Sequence, residues 1–381
     1  MPEALIASLT RTPIGRAVKG SLREVRPDDL VATAMRAAVQ HSGIDPHTLE
    51  DSLLGTAYPE GKAGGNLGRR AVPLAGLPIT VPGATVNRFC ASSLQAMRMS
   101  AHAIWSGESD AILASGVEST STTGRGTRDE DKHPLLLPGG LADMYIAMGE
   151  TAENVADRYG ITRTEMDEFA LRSHRLAIAA RDSGSTAKEI TPVALPDGTS
   201  FDTDDGPRRD TSLETLAGLR PAFRENGRVT AGNSCPLNDG AAAAVVVSDR
   251  LAAEQELPVR ARIVATSVSG IAPELMGIGP IEAVGRVLER AGMTIGDIDA
   301  IEFNEAFAAQ VLATARDTGM DIDSQVNLRG GSIALGHPFG MSGIRLLTTL
   351  MTTLEEIDGT IGMVTLCVGG GQGMAMIVER R

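Results

Sequence analysis

The feature that most constrains this chain is that it nearly repeats itself. The segment AMRAAVQHSGIDPHTLEDSLLGTA, beginning at Ala34, lies without a gap against AVGRVLERAGMTIGDIDAIEFNEA, beginning at Ala283. The two share their opening alanines, Gly43 with Gly292 and Ala57 with Ala306, while Val39 meets Leu288 and Leu49 meets Ile298. Each spells an amphipathic helix, a glycine stop, a short helical turn and a strand. A strand-like run precedes each, EALIASL in one case and ARIVATSV in the other. The pattern predicts one supersecondary unit used twice.

Carried forward at the same spacing, Cys90 falls opposite Phe339, two residues from His337. Both positions follow a strand-like segment and open a long helical one, SSLQAMRMSAHAIW and SGIRLLTTLMTTLEEI. Both helices lead to an apolar strand that runs into glycine, DAILASGVES and IGMVTLCVGGGQG. Packed face to face about a pseudo-twofold axis, two such halves bring a thiol and an imidazole together.

Between the copies runs a different segment, Ser119 to Asn238, rich in Thr, Arg, Asp and Gly. Its helical pieces, GETAENVADRYG and RTEMDEFALRSHRLAIAARDSG, and its loops read as an insertion or lid. The run DGAAAAVVVSD then reads as a buried strand rejoining the first half. The expected division is residues 1–118 with 239–258, an inserted 119–238, and 259–381. A chain of 381 residues exceeds one ordinary core, which fits this division.

Hydrophobic residues make up 42% and charged residues 22%, a globular composition. No apolar run approaches the roughly 18 residues of a membrane helix, and no secretory signal is recognisable, so a cytoplasmic protein is expected. The net charge of −13 argues against general nucleic-acid binding, which needs a basic surface. It leaves room for a small anion held by a local arginine cluster. Three widely spaced cysteines without a CxxC pair argue against a zinc knuckle or a disulfide framework.

Five places carry candidate chemistry. Cys90 at a helix start sits in the positive end of the backbone dipole, which favours thiolate; the alternative is a packed core cysteine. His337, in GGSIALGHPFGMSG, sits in a tight turn feeding a helix and can serve as a general base; the alternative is a hydrogen-bonded loop histidine. Cys367 precedes three glycines in LCVGGGQG, where backbone N–H groups can form an oxyanion hole or simply a tight turn. Asn304, in FNEAFAAQ, can hold a water or orient an imidazole, or else cap a helix. The glycine-rich EGKAGGNLGRR, Glu60 to Arg70, matches no nucleotide fingerprint and reads as a surface or interface loop.

Together, NRFCASSLQA, NEAFAAQ, GGSIALGHPFGMSG and CVGGGQG resemble the signature blocks of the thiolase family, in family order and spacing. MGETAENVA and TAGNSCPLNDGAAA resemble blocks of its inserted loop domain and exit. The resemblance covers essentially the whole chain. It implies an α/β thiolase fold: two duplicated βαβαβαββ halves in a five-layered α/β/α/β/α arrangement, with an inserted loop domain that binds coenzyme A. It implies acyl transfer between CoA thiols by making or breaking a carbon–carbon bond. Cys90 matches the family nucleophile, His337 its base, Cys367 the second acid/base and Asn304 the residue that holds an oxyanion-hole water. The Cys90 and Gly369 N–H groups match the other oxyanion hole. Coenzyme A is then a substrate, with no tightly bound cofactor and no metal, and a homodimer or homotetramer is implied.

For CoA, the segment Asp204 to Arg228 concentrates arginines, of which Arg208 resembles the family residue near the adenine and diphosphate. For the remaining arginines, ion pairs with Asp204, Asp205 and Asp210 are the competing reading. Thr215, Cys235, Met148 and Phe307 complete the expected acyl-CoA contacts. Two departures stand out. Cys235, followed by Pro236, occupies a position where serine touching the pantetheine is common in the family, and a thiol is the weaker partner. Ala147 stands where some acetoacetyl-forming members carry histidine. With the short stretch Thr122 to Ala147, this favours a degradative 3-oxoacyl-CoA thiolase over an acetoacetyl-CoA thiolase. Two further classes compete with a thiolase. One is a thiolase-like protein that binds acyl-CoA or lipid without turnover, against which the intact set Cys90, Asn304, His337 and Cys367 speaks. The second is a decarboxylating condensing enzyme, against which the second catalytic-position cysteine speaks.

Overall fold

The computed structural model describes residues 2–123 and 127–381. In the first half, strands β1 (Ala4–Arg11), β2 (Asp51–Gly55), β3 (Ala84–Val86) and β4 (Ala111–Ser119) alternate with helices α1 (Pro27–Ser42), α2 (Leu67–Leu74) and α3 (Ser92–Ser106). The inserted segment carries α4 (Met148–Tyr159) and α5 (Arg163–Asp182), and β5 (Asn238–Ser248) follows it. The second half holds β6 (Ala261–Gly270), α6 (Gly279–Ala291), β7 (Ala300–Phe303), α7 (Ala308–Thr318), α8 (Ser342–Ile357), β8 (Ile361–Val368) and β9 (Gln372–Arg380).

The sheet order β7-β8-β9-β6-β1-β5-β4-β2-β3 mirrors one half in the other, except that edge strand β3 has no counterpart strand among the described residues. In each, the first strand (β1 or β6) pairs antiparallel with the last (β5 or β9). The last pairs antiparallel with its inner neighbour, which pairs parallel with the strand after the repeated helix. The halves join where β1 meets β6, antiparallel, through Leu5 with Arg262 and Ile6 with Ala261.

Strands buried on both faces read as continuous apolar runs, as β5 does with all its residues buried. Three cores separate the layers. Leu94 and Met97 of α3 and Ile344 and Leu347 of α8 share the central core with side chains of both half-sheets. Helices α1 and α2 cover the outer face of the first half-sheet, and α6 and α7 that of the second. The result is the five-layered α/β/α/β/α arrangement.

The inserted helices do not form a separate body among the described residues. Ala152, Val155 and Phe169 share the core of Val284, Phe303 and Val311, so they thicken the second half instead of standing off it as a lid. A capping box between Thr162 and Glu165 fixes the start of α5. The glycine-rich segment after Glu60 supplies the Asn66 cap and the beginning of α2.

The repeat itself needs one correction. Gly43 and Gly292 both end their helices in the left-handed conformation, and β2 and β7 begin at matching positions. Beyond that, one extra residue enters the second copy. The turn Phe89–Ala91 before α3 corresponds to Phe339–Met341 before α8, so Cys90 stands opposite Gly340 and not Phe339.

Candidate active site

The two related turns pack against one another, and β8 packs on the first of them. Cys90 is half-buried in its turn, directly before the N-terminus of α3. Phe89 ahead of it has φ 44°, a left-handed conformation that a bulky residue holds only when its surroundings impose it. Asn87 helps to impose it, its Oδ1 accepting from the Phe89 N–H at 2.8 Å.

The helix-start position was expected to favour thiolate, yet burial pushes the Cys90 thiol up to about 12. The Gly369 N–H, donating to the sulfur, and Cys90's own N–H oppose the rise, while buried Glu118 adds to it. Two backbone N–H groups of a partial dipole do not outweigh desolvation here. At rest Cys90 is a thiol, and its ionisation calls for a base.

His337 stands just ahead of the neighbouring turn. Gly336 before it has φ 113°, and a Cβ there would lie 2.6 Å from the Asn238 amide. Asn238 Oδ1 in turn accepts from the His337 N–H at 2.9 Å. Ser342 Oγ donates to the Pro338 carbonyl at 2.8 Å, so it accepts from His337 Nδ1–H at 2.6 Å. That assigns the tautomer with Nε2 bare, and the Asn304 amide Nδ2 lies 3.2 Å from it. Burial, with Arg345 nearby, lowers the His337 pKa to about 3, so the ring is neutral across ordinary pH.

Asn304 does not cap a helix: the residue before α7 is Phe307, and no side chain caps there. Instead its orientation is fixed from behind. Arg345 Nη2 donates to Ser332 Oγ at 2.7 Å, and Ser332 Oγ donates to Asn304 Oδ1 at 2.7 Å, turning the amide nitrogen toward His337. Arg345 is wholly buried beside Glu302, at 3.4 Å. Burial pushes that carboxyl up to about 8.

Cys367, at the end of β8, is buried and donates to Gln310 Oε1 at 2.8 Å. Gln310 Nε2 donates to the Asn304 carbonyl at 3.2 Å, tying the second thiol to the same strand end. Burial, with Cys90 and Cys235 near, raises the Cys367 pKa well above the ordinary thiol value. After it, Gly370 and Gly371 turn at φ 75° into β9.

Cys90 and Gly369 open on a cavity of about 540 Å³, lined also by Tyr58, Phe339, Ala147 and Met148. His337 lies edge-on to Phe339, ring centroids 4.9 Å apart. Among the described residues no hydrogen bond joins Cys90 to His337 or Cys367. Arg208 and Thr215 line a second cavity of about 230 Å³ with Arg16, His174 and Pro236. Cys235, neighbouring Pro236, bonds through its N–H to the Ala306 carbonyl at 2.9 Å, and burial raises its thiol. Phe307 is buried on Phe223, 6.0 Å between centroids. Arg209, Arg224 and Arg228 are held by Asp182, Glu150 and Asp157, while Asp204 pairs with Arg11, so the expected aspartate partners are replaced by acids of α4 and α5.

Sequence reasoning missed the supports: Gln310, Ser332, Ser342, Asn238 and Glu118. The Glu118 carboxylate accepts from the N–H groups of Ala57 and Gly340, each at 2.9 Å, so it clamps the two halves at the site. A lone acid in the otherwise apolar run AILASGVES was the available signal.

A cavity-facing thiol with a backbone N–H donating to it, and a neutral buried imidazole in the neighbouring turn of a duplicated fold, are suited to acyl transfer. The thiolase N-terminal domain matches residues 4–250 and the thiolase C-terminal domain residues 257–380. The chain is 44% identical to a β-ketoadipyl-CoA thiolase of Escherichia coli over 401 residues, covering all of both proteins. It is 41% identical to a 3-ketoacyl-CoA thiolase of Bacillus subtilis, again over the whole of both. The crystal structure of an acetyl-CoA acetyltransferase of Bacillus anthracis superposes with a TM-score of 0.93 at 38% identity, covering 100% of this chain and 99% of that one. The chain belongs to the thiolase family and is an acyltransferase acting on CoA thioesters.

Proposed function

We propose that this thiolase is degradative, cleaving 3-oxoacyl-CoA with CoA to acetyl-CoA and a shortened acyl-CoA. The observation that carries the reading is the bare Nε2 of His337, held by Asn304 and Ser342 beside a thiol that cannot ionise unaided. His337 takes the Cys90 proton as the sulfur attacks the 3-keto carbon. The C2–C3 bond breaks, its electrons pass to the acetyl-CoA enolate, and Cys367 returns a proton to C2. The acyl group remains on Cys90 as a thioester. A fresh CoA thiol then loses its proton to Cys367 and attacks the thioester, and the expelled Cys90 sulfur takes its proton back from His337. Gly369 and Cys90 N–H groups face one developing oxyanion; Asn304, with a water, and His337 serve the other, each donor worth on the order of 3 kcal/mol.

Arg208 and Thr215, with Arg16 and His174, are assigned to the adenine and phosphate end of CoA. Cys235, Met148 and Phe307 are assigned to the path between that cavity and Cys90. The size of the cavity before Cys90 and Ala147 in its wall support an acyl group longer than four carbons. An oligomer of two or four chains in the cytoplasm accompanies this reading; among the described residues no helix is long and apolar enough to cross a membrane.

The test is kcat/KM across acetoacetyl-CoA, longer linear and bulky cyclic 3-oxoacyl-CoAs. Higher values for the longer substrates support the degradative reading. A sharp preference for acetoacetyl-CoA transfers the protein to the biosynthetic reading, and no turnover of any of them favours a binding protein.

A further inference from the structure

Among the described residues, the cavity before Cys90 has one charged side chain in its wall, Lys132. Leu136, Met144, Ile146 and Met148 make much of the remaining surface apolar. The Lys132 ammonium is 2.7 Å from Asp129 Oδ1, but Asp129 is 94% exposed, so the counter-ion stands on the solvent side. Lys132 itself is 26% exposed and lies 5.6 Å above the Tyr145 ring, which steadies the ammonium at the cavity wall. The Tyr145 hydroxyl is engaged by the His133 N–H at 3.2 Å. An ammonium carries three donors, and among the described residues Asp129 is its one hydrogen-bond partner. Tyr58, also in the wall, packs edge-on to Phe339, centroids 5.8 Å apart, and Phe339 packs on His337. The Cys90 thiol and the Lys132 ammonium thus share one cavity, with His337 behind Phe339 of its wall.

Neither the transfer chemistry nor CoA binding uses this charge. An acyl chain ending in a methyl group would strip water from the ammonium and return nothing. One ending in a carboxylate would pair with it in a partly desolvated wall, where such a pair discriminates strongly. We propose that Lys132 is the specificity-determining residue of this site and reads a carboxylate at the far end of the acyl chain. The preferred substrates are then short 3-oxoacyl-CoAs whose acyl group is a dicarboxylic acid residue. The proposal rests on the thiolase reading of Cys90 and His337, and adds the chemistry of the acyl tail.

The experiment compares kcat/KM for 3-oxoadipyl-CoA and 3-oxohexanoyl-CoA, which share a six-carbon chain and differ in the terminal carboxylate. It uses the unaltered protein, Lys132→Met and Lys132→Arg. The unaltered protein is expected to favour the dicarboxylic substrate at least about tenfold. Lys132→Met should lower kcat/KM for that substrate about 10- to 100-fold and leave the uncharged one within about twofold, with Lys132→Arg retaining most of the preference. Equal use of both substrates by the unaltered protein, or an equal loss on both in Lys132→Met, overturns the role of Lys132. Cleavage of 3-oxohexanoyl-CoA sustains the thiolase reading in either case. Failure on both substrates refutes that reading and the Lys132 proposal with it.

Discussion

The turns Phe89–Ala91 and Phe339–Met341 occupy equivalent places in the two halves and are put to opposite uses. The first is open: Phe89 is 41% exposed, Cys90 faces a cavity, and the Gly369 N–H points at its sulfur. The second is closed. A Cβ on Gly340 would meet the Val117 carbonyl at 2.4 Å and the Thr56 Cα at 2.7 Å, and the Gly340 N–H is spent on Glu118. Val368 stands in β8 where Glu118 stands in β4, so no matching carboxylate takes up the first turn. Of the two related helix starts, one leaves Cys90 facing a cavity, and the other is closely packed and presents His337 just ahead of it.

The largest expected effect lies at the open turn. Cys90→Ala should reduce thiolysis by about 10,000-fold or more while the fold persists, measured as kcat with far-UV circular dichroism as control. Activity within about tenfold of the unaltered protein would remove Cys90 from the chemistry. The supports of the closed turn come next. Asn304→Ala should cost about 100- to 1,000-fold in kcat. Ser332→Ala, which frees the Asn304 amide to turn and takes the acceptor from Arg345 Nη2, should cost about 10- to 100-fold in kcat with KM little changed. A larger loss in Ser332→Ala than in Asn304→Ala would break the order of that chain.

How much of this was legible beforehand follows the same division. Cys90, His337, Asn304 and Cys367 could be singled out because their blocks resemble those of the thiolase family; glycine and helix-start signals alone left each of them open. The halves were readable from the Ala34 and Ala283 segments. What the sequence hid was set by long-range packing. The extra residue that moves Cys90 opposite Gly340 leaves no local trace. The burial that raises the Cys90 thiol overrides a dipole argument made from neighbours alone. Ser332 and Ser342 lie within the His337 block, but their hydroxyl directions depend on Arg345 and the Pro338 carbonyl. The inserted segment left a lid open as one reading because the core it shares with α6 and α7 lies more than a hundred residues away.

Two smaller effects sharpen the contrast. Gly340→Ala should destabilise the protein by about 1–3 kcal/mol in denaturant unfolding. Gly369→Ala, whose Cβ would meet only Phe89 at 3.5 Å, should be nearly neutral in the same measurement. Equal destabilisation would contradict the open and closed assignment. For His337, the lowered pKa means the folded protein keeps the ring neutral where an unfolded chain begins to protonate near 6.5. Its contribution to stability is therefore complete above about 6.5 and is lost as pH falls toward 3. In ¹⁵N spectra of labelled histidine, the His337 resonance, assigned by comparison with His337→Gln, should keep a bare Nε2 down to about pH 4; protonation near pH 6.5 would contradict the burial.

The central claim is that Cys90, among three thiols grouped around one site, carries the acyl group. The direct measurement is peptide mass mapping after brief exposure to a 3-oxoacyl-CoA without free CoA. The account predicts an acyl mass on the peptide containing Cys90, which disappears when CoA is added. An adduct on Cys235 or Cys367 instead, or one on Cys90 that CoA does not discharge, would contradict it.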